Sequence, residues 1–121
     1  MNKLILAASL TLLVGCVSSP PTRAVFARQD LHANLVVVRD NGFVGHGCKV
    51  DLLVDDSHQV DLRPGEGAEL RVEPGERTIT ITTRAPCGIM TDSVRAQMSA
   101  EHIERFRIRL QQAGARLLAM P

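Results

Sequence analysis

The chain has no Trp, no Tyr and only three Phe in 121 residues. A core built on stacked aromatic rings is therefore excluded, and burial must come from Val, Leu and Ile. Neither sign of charge prevails. Lysine and arginine number 14 against 13 acids, and one of those bases is Lys3 near the amino terminus. Such a balance excludes a nonspecific nucleic-acid binder. The apolar run Leu4–Val14 is too short to span a bilayer. A Gly-x-Ser-x-Gly elbow, a Walker loop and a Rossmann fingerprint are all missing, as are the Cys-x-x-Cys and His-x-x-x-His pairs of zinc sites. No cofactor or metal is implied, and the length allows one domain.

What is present begins with a leader. Lys3 precedes the apolar run, which ends in Leu13-Val14-Gly15-Cys16. This is the pattern of a signal peptide and not of a membrane helix. It resembles the bacterial lipobox, which implies cleavage before Cys16 and a diacylglycerol on its sulfur. Val17 follows where inner-membrane retention signals carry Asp. By that resemblance the protein is sorted to the outer membrane, facing the periplasm. Residues 1–15 are thus read as the signal peptide and 16–32 as lipidated cysteine and tether, with Pro20-Pro21 favouring extended geometry. The tether reaches at most about 50 Å. Ala24–Ala27 is a candidate edge strand. Residues 33–121 are read as the folded domain.

Within the domain, Leu35–Arg39 reads as a central strand and Asp40-Asn41-Gly42 as a turn. From Cys48 to Cys87 the apolar residues alternate. Cys48, Val50, Leu52 and Val54 share one phase, and pairing Val54 with Val60 leaves Asp56–His58 as a three-residue loop and places Asp51 opposite Arg63. A second hairpin is expected to turn at Pro74-Gly75, with Leu70 against Ile79 and Ala68 against Ile81. Pro-Gly is a specific turn signal. Both cysteines fall on the inward phase. In an oxidising periplasm they are expected to form a disulfide, the competing reading being two buried thiols. A closed loop of about 40 residues contributes roughly 3–4 kcal/mol in the chain-entropy model.

The carboxy-terminal part contributes a strand at Asp92–Met98, a helical turn at Ser99–His102 and a hairpin. A helical stripe through Ile103, Phe106, Leu110, Ala113 and Leu117 competes with the hairpin. The hairpin reading pairs Leu110 with Ala115, Ile108 with Leu117 and Phe106 with Ala119. It sets Arg109 opposite Arg116, and like charges in that relation are destabilising. The expected fold is all-β, a small antiparallel β-sandwich of about seven or eight strands.

Val54-Asp55-Asp56, Leu62-Arg63-Pro64-Gly65-Glu66 and Glu73-Pro74-Gly75-Glu76-Arg77-Thr78-Ile79 together resemble PEGA-type domains of bacterial surface proteins. Glu104–Ile108 stands where an uncharacterised group of small lipoproteins carries an aromatic strand. Asp56 replaces the usual Gly, and Arg77 a common His. The resemblance implies a β-sandwich and brings no catalytic motif.

Candidate chemistry is sparse. A Cys/His nucleophile from His46 and Cys48 needs a free thiol. Asp51, Asp55, Asp56 and Asp61 form an acidic cluster around one turn, but an EF-hand counted from Asp55 puts Val60 where glycine is required, and Asp-rich turns need no metal. His58 reads as a turn residue. The expected function is therefore non-catalytic: a binding or scaffold role in the cell envelope, with a membrane partner through the anchor and an envelope protein partner. The alternative is an inhibitor or immunity protein against an envelope-degrading enzyme. The candidate partner-binding face is Arg105, Arg107, Arg109, Arg116 and Leu118, arginines with an apolar neighbour on one outward phase.

Overall fold

A computed structural model describes residues 25–42 and 47–121. Residues 1–24, with the expected leader, Cys16 and most of the tether, lie outside the described residues, as do residues 43–46.

Nine strands follow one another among the described residues: β1 Val25–Arg28, β2 Leu35–Arg39, β3 Val50–Val54, β4 Ser57–Leu62, β5 Glu66–Leu70, β6 Gly75–Thr83, β7 Thr91–Met98, β8 Glu104–Gln111 and β9 Gly114–Ala119. Sheet A has the order β1-β5-β2-β8-β9, and sheet B the order β4-β3-β6-β7. The all-β sandwich is as expected. It holds more strands than expected, because β1 joins sheet A by pairing parallel to β5. The strand β1 lies inside the segment read as tether. The sandwich is also not purely antiparallel, since β2 pairs parallel to β8.

The core fills the gap between the sheets. Leu35, Val37, Leu52, Ile79, Ile81 and Ile108 are fully buried, and Phe106 is nearly so. Each such side chain contributes about 1.5–3 kcal/mol on burial. At Gly67 the Phe26 ring lies 3.0 Å from where a Cβ would stand, with the Val37 carbonyl at 3.2 Å. Glycine there lets the edge strand β1 lay its ring across β5.

Two register expectations are corrected. In the β3–β4 hairpin, Leu52 pairs with Val60 and Val50 with Leu62, and the register shifts between Leu52 and Leu53. The inward phase survives, but the pairs move by two residues. Asp51 consequently faces Asp61, not Arg63. The cause is a two-residue turn, Asp55-Asp56, with φ of 49° and 64°, which replaces the three-residue loop expected at Asp56–His58. Such double left-handed turns match the strand twist. Asp55 has a reason to be there. Its Oδ1 accepts from the Thr78 amide at 2.9 Å and its Oδ2 meets Arg77 Nη1 at 3.1 Å, which together hold its carboxyl below the usual range. Asp56 has no such contacts, and an L-residue strains in this region. Asp56→Gly is expected to raise stability by about 0.5 kcal/mol, after the entropy of glycine is counted. A urea midpoint below the parent's would contradict this.

The second correction is larger. The strands β5 and β6 do not form a hairpin: β5 pairs with β2 and β1, and β6 with β3 and β7. Residues 71–74 cross from sheet A to sheet B. Val72 is buried in the crossing, and Asn34 fastens it. The Asn34 amide donates to the Val72 and Ser99 carbonyls at 2.7 and 3.2 Å, and its Oδ1 accepts from the Val72 amide at 2.7 Å. The residues expected to pair side by side, Leu70 with Ile79 and Ala68 with Ile81, are all buried but belong to opposite sheets. Ser99–His102 forms bends and irregular chain instead of a helical turn.

The deepest charge among the described residues is Arg39. It is 2% exposed; its Nη1 donates to the carbonyls of Cys48 and Leu62. Burial lowers its pKa, and the nearby Asp40 and Glu66 carboxylates oppose that. Arg39 thereby ties β2 to the entrance of β3 and the end of β4, bridging the sheets beside the disulfide.

Candidate functional site

The β8–β9 hairpin forms in the expected register. Leu110 pairs with Ala115, Ile108 with Leu117, Phe106 with Ala119 and Arg109 with Arg116. Alternation then sends Phe106, Ile108 and Leu110 into the core and leaves Arg105, Arg107 and Arg109 exposed. Arg116 is exposed and Leu118 half-buried on β9. Pairing carries this face across sheet A: Arg107 neighbours Val38 and Leu118, and Arg105 neighbours Val36. Beyond β2 the same face continues with Glu69 opposite Val36 and Gly67 opposite Val38.

The charges on this face are poorly balanced. Arg109 Nε reaches Asp40 at 4.0 Å. Among the described residues, no carboxylate lies within 4 Å of Arg105, Arg107 or Arg116. Val36, Val38 and Leu118 are only half-buried, and arginine stems can cover such surface while their heads stay in water. The parallel β2 and β8 start at the same end, with Leu35 beside Glu104. The segments leading into them therefore meet. There a groove of about 250 Å³ is lined by Phe26, Asp30, Leu31, Ala33, Val36, Glu69, Ile103 and Arg105. On its rim Leu31 is 100% and Ile103 42% exposed.

A second cluster lies on the outer side of sheet B; Asp51 and Asp61 were expected in one acidic cluster around a turn, but not opposite each other or with His58 and Arg84. Its carboxylates come from the facing pair Asp51 and Asp61. His58 Nε2 lies 2.7 Å from Asp61 Oδ1 and 3.9 Å from Asp51 Oδ1. Arg84 grips Asp51 at both oxygens, Nε to Oδ2 at 2.8 Å and Nη2 to Oδ1 at 2.9 Å. Burial pushes the Asp51 carboxyl up, Asp61 pushes it further, and Arg84 pulls it back. Asp61 is held down, first by its hydrogen bond with Asp51 and then by His58. The ligand atoms of Asp51, His58 and Asp61 lie within 4.8 Å of one another, a set that a first-row metal accepts in principle. Arg84, against Asp51 and 3.9 Å from Asp61, offsets part of the repulsion between the facing carboxylates, so the cluster reads as an ion network around a like-charge cross-strand pair. The sequence signal for it was weak. A two-residue register change is what brings Asp61 opposite Asp51.

Cys48 and Cys87 form a disulfide with Cα atoms 6.2 Å apart, which takes up the thiol that a Cys/His nucleophile needs. Cys16 and His46 lie outside the described residues. The open sides of the sandwich are bridged. The Leu117 amide on β9 donates to Asp92 Oδ2 on β7 at 2.7 Å, and Arg28 on β1 reaches the Gln59 carbonyl on β4 at 3.4 Å. Each bridge partly covers an edge that is otherwise free to pair with another strand. The chain matches no family model, no curated protein and no solved structure.

Proposed function

We propose that this chain is a lipoprotein, anchored through Cys16 at the periplasmic side of the outer membrane, with a non-catalytic binding or scaffold role exercised by the outer face of sheet A. The observation that carries the binding role is the arginine column of β8 and β9. Three of its four members lack a carboxylate partner among the described residues, and Arg109 directly opposes Arg116. Opposed like charges cost stability, while half-buried valine and leucine beside exposed arginine is the composition of a binding surface. The bridged sheet edges favour this face over strand addition. The anchor rests on the Lys3-to-Cys16 leader, and the resemblance to PEGA-type domains agrees with a β-sandwich that binds and does not catalyse.

Two measurements test the proposal. Mass spectrometry of the protein from a membrane fraction is expected to find an acylated Cys16 as the first residue, and an unmodified leader would refute the anchor. A photo-cross-linking residue at position 107 is expected to yield adducts in intact envelopes, whereas the same residue at position 95 on β7 gives none. Equal yields at the two positions would return the arginine face to ordinary solvated surface. Arg116→Thr separates the two costs: it should raise the thermal midpoint slightly, by relieving Arg109, and lower the adduct yield.

A further inference from the structure

We infer that the outer face of sheet A docks on an anionic phospholipid surface. Arg105, Arg107, Arg109 and Arg116 meet the headgroups, while Leu31 and Ile103 enter the interface beside them. The inference deepens the proposed binding role and rests on it for the nearness of a bilayer.

Four observations favour lipid over another occupant. The first is charge. The face and its groove present four arginines against Asp30, Asp40 and Glu69, so the balance is still cationic. Along β8 the arginines recur every second residue, about 6.6 Å apart, in one exposed plane. A planar array of cations matches a surface of many anions, and it also excludes a second copy of this face, whose arginines would repel. The second is the rim. Leu31, fully exposed in the connection before β2, and Ile103, before β8, flank one groove with Arg105. Apolar tips beside cations are the composition of interfacial membrane contacts. The third is reach. The strand β1 starts at Val25 in this same sheet, so residues 17–24 hold it within about 30 Å of an acylated Cys16. The fourth is width. Five strands spaced by about 4.8 Å give a platform broad enough to cover several headgroups. Docked in this way, the domain would turn the outer side of sheet B, with its Asp51–Arg84 network, toward the periplasm.

All nine strands follow residue 24, so the chain from Val17 onward keeps the folded domain and lacks the anchor. Its co-sedimentation with vesicles is the test. Binding is expected on phosphatidylcholine mixed with phosphatidylglycerol and not on phosphatidylcholine alone. It should fade at 1 M salt, where the Debye length is about 3 Å. Arg105→Ala combined with Arg107→Ala should weaken it about 30-fold, about fivefold per arginine. Leu31→Ser with Ile103→Ser should weaken it too, while Arg95→Ala on sheet B should not. A thermal melt of each variant separates lost binding from lost fold. No binding to the anionic vesicles, equal binding to both compositions, or indifference to the arginine pair would overturn the inference. So would protein adducts at position 107 in envelopes without vesicle binding. An unmodified Cys16 with vesicle binding intact would instead overturn the anchor and leave this docking standing.

Discussion

Reduction of the Cys48–Cys87 disulfide is expected to cost the domain about 4 kcal/mol and to lower its thermal midpoint by about 20 °C. The cross-link spans 39 residues, and restricting a loop of that length in the unfolded chain accounts for the full figure in the entropy model. Two features of the fold suggest that little is lost to distortion. The strands β3 and β6 already pair up to Val50 with Thr83, so the bond extends an existing ladder. The loop that carries Cys87 is also held independently. Thr83 donates through its hydroxyl to the Gly88 carbonyl at 2.8 Å and accepts there from the Met90 amide at 2.9 Å. Cys48 is itself tied inward, since its carbonyl receives Arg39. Urea titration with and without reductant, and of Cys48→Ala combined with Cys87→Ala, measures the effect. The two routes should agree within about 0.5 kcal/mol. An unchanged midpoint would mean that the crossing and the buried arginine alone hold the two ends.

The inward residues were legible because a strand repeats every two residues. Leu52, Leu70, Ile79, Ile108 and Leu117 were all placed on the buried phase, and all are buried. The partners were less legible, for a geometric reason. In a sandwich, an inward residue touches others beside it and across the gap. Alternation cannot tell which, so Leu70 and Ile79 were read as neighbours when they lie in opposite sheets. The β8–β9 hairpin came out in register because its turn is short and both strands stay in one sheet. The Pro74-Gly75 signal did mark a change of direction, but the turn leads into the other sheet.

Polar residues inside the fold were the least legible. Alternation from Leu35 and Val37 already puts Arg39 inward, yet a charge at the end of an apolar run reads as the strand leaving the core. The carbonyls of Cys48 and Leu62, 9 and 23 residues away, help to make its burial tolerable. The arginine face was visible because exposure follows from phase alone. The Asp51–Asp61 pair was not, because it depends on a turn of two residues instead of three. The face and the network lie on opposite sides of the molecule, and docking through the face would leave the network free.

Asn34 is where a single substitution should tell most about the crossing. It is 1% exposed and completes five hydrogen bonds: three through the side chain to Val72 and Ser99, and two through its backbone with Leu70 and Glu104. The two connections that leave sheet A and enter it, at Val72 and Ser99, are thus gathered on one amide. Removing it strands the amide and carbonyl of Val72, and each buried unsatisfied group costs about 1–3 kcal/mol. Asn34→Ala is therefore expected to lose about 4 kcal/mol, read as a urea midpoint with unchanged slope. Asn34→Asp keeps the shape but replaces the donor with an acceptor facing two carbonyls. Burial and those carbonyls would raise the new carboxyl above its unfolded value of about 3.9. The sign follows: the variant is penalised above that folded-state pKa and regains stability as pH falls through it, because the protonated acid can again donate. At neutral pH it should be at least as unstable as Asn34→Ala. If both variants stay within about 1 kcal/mol of the parent at every pH, the crossing is held by the packing of Val72 and not by the amide.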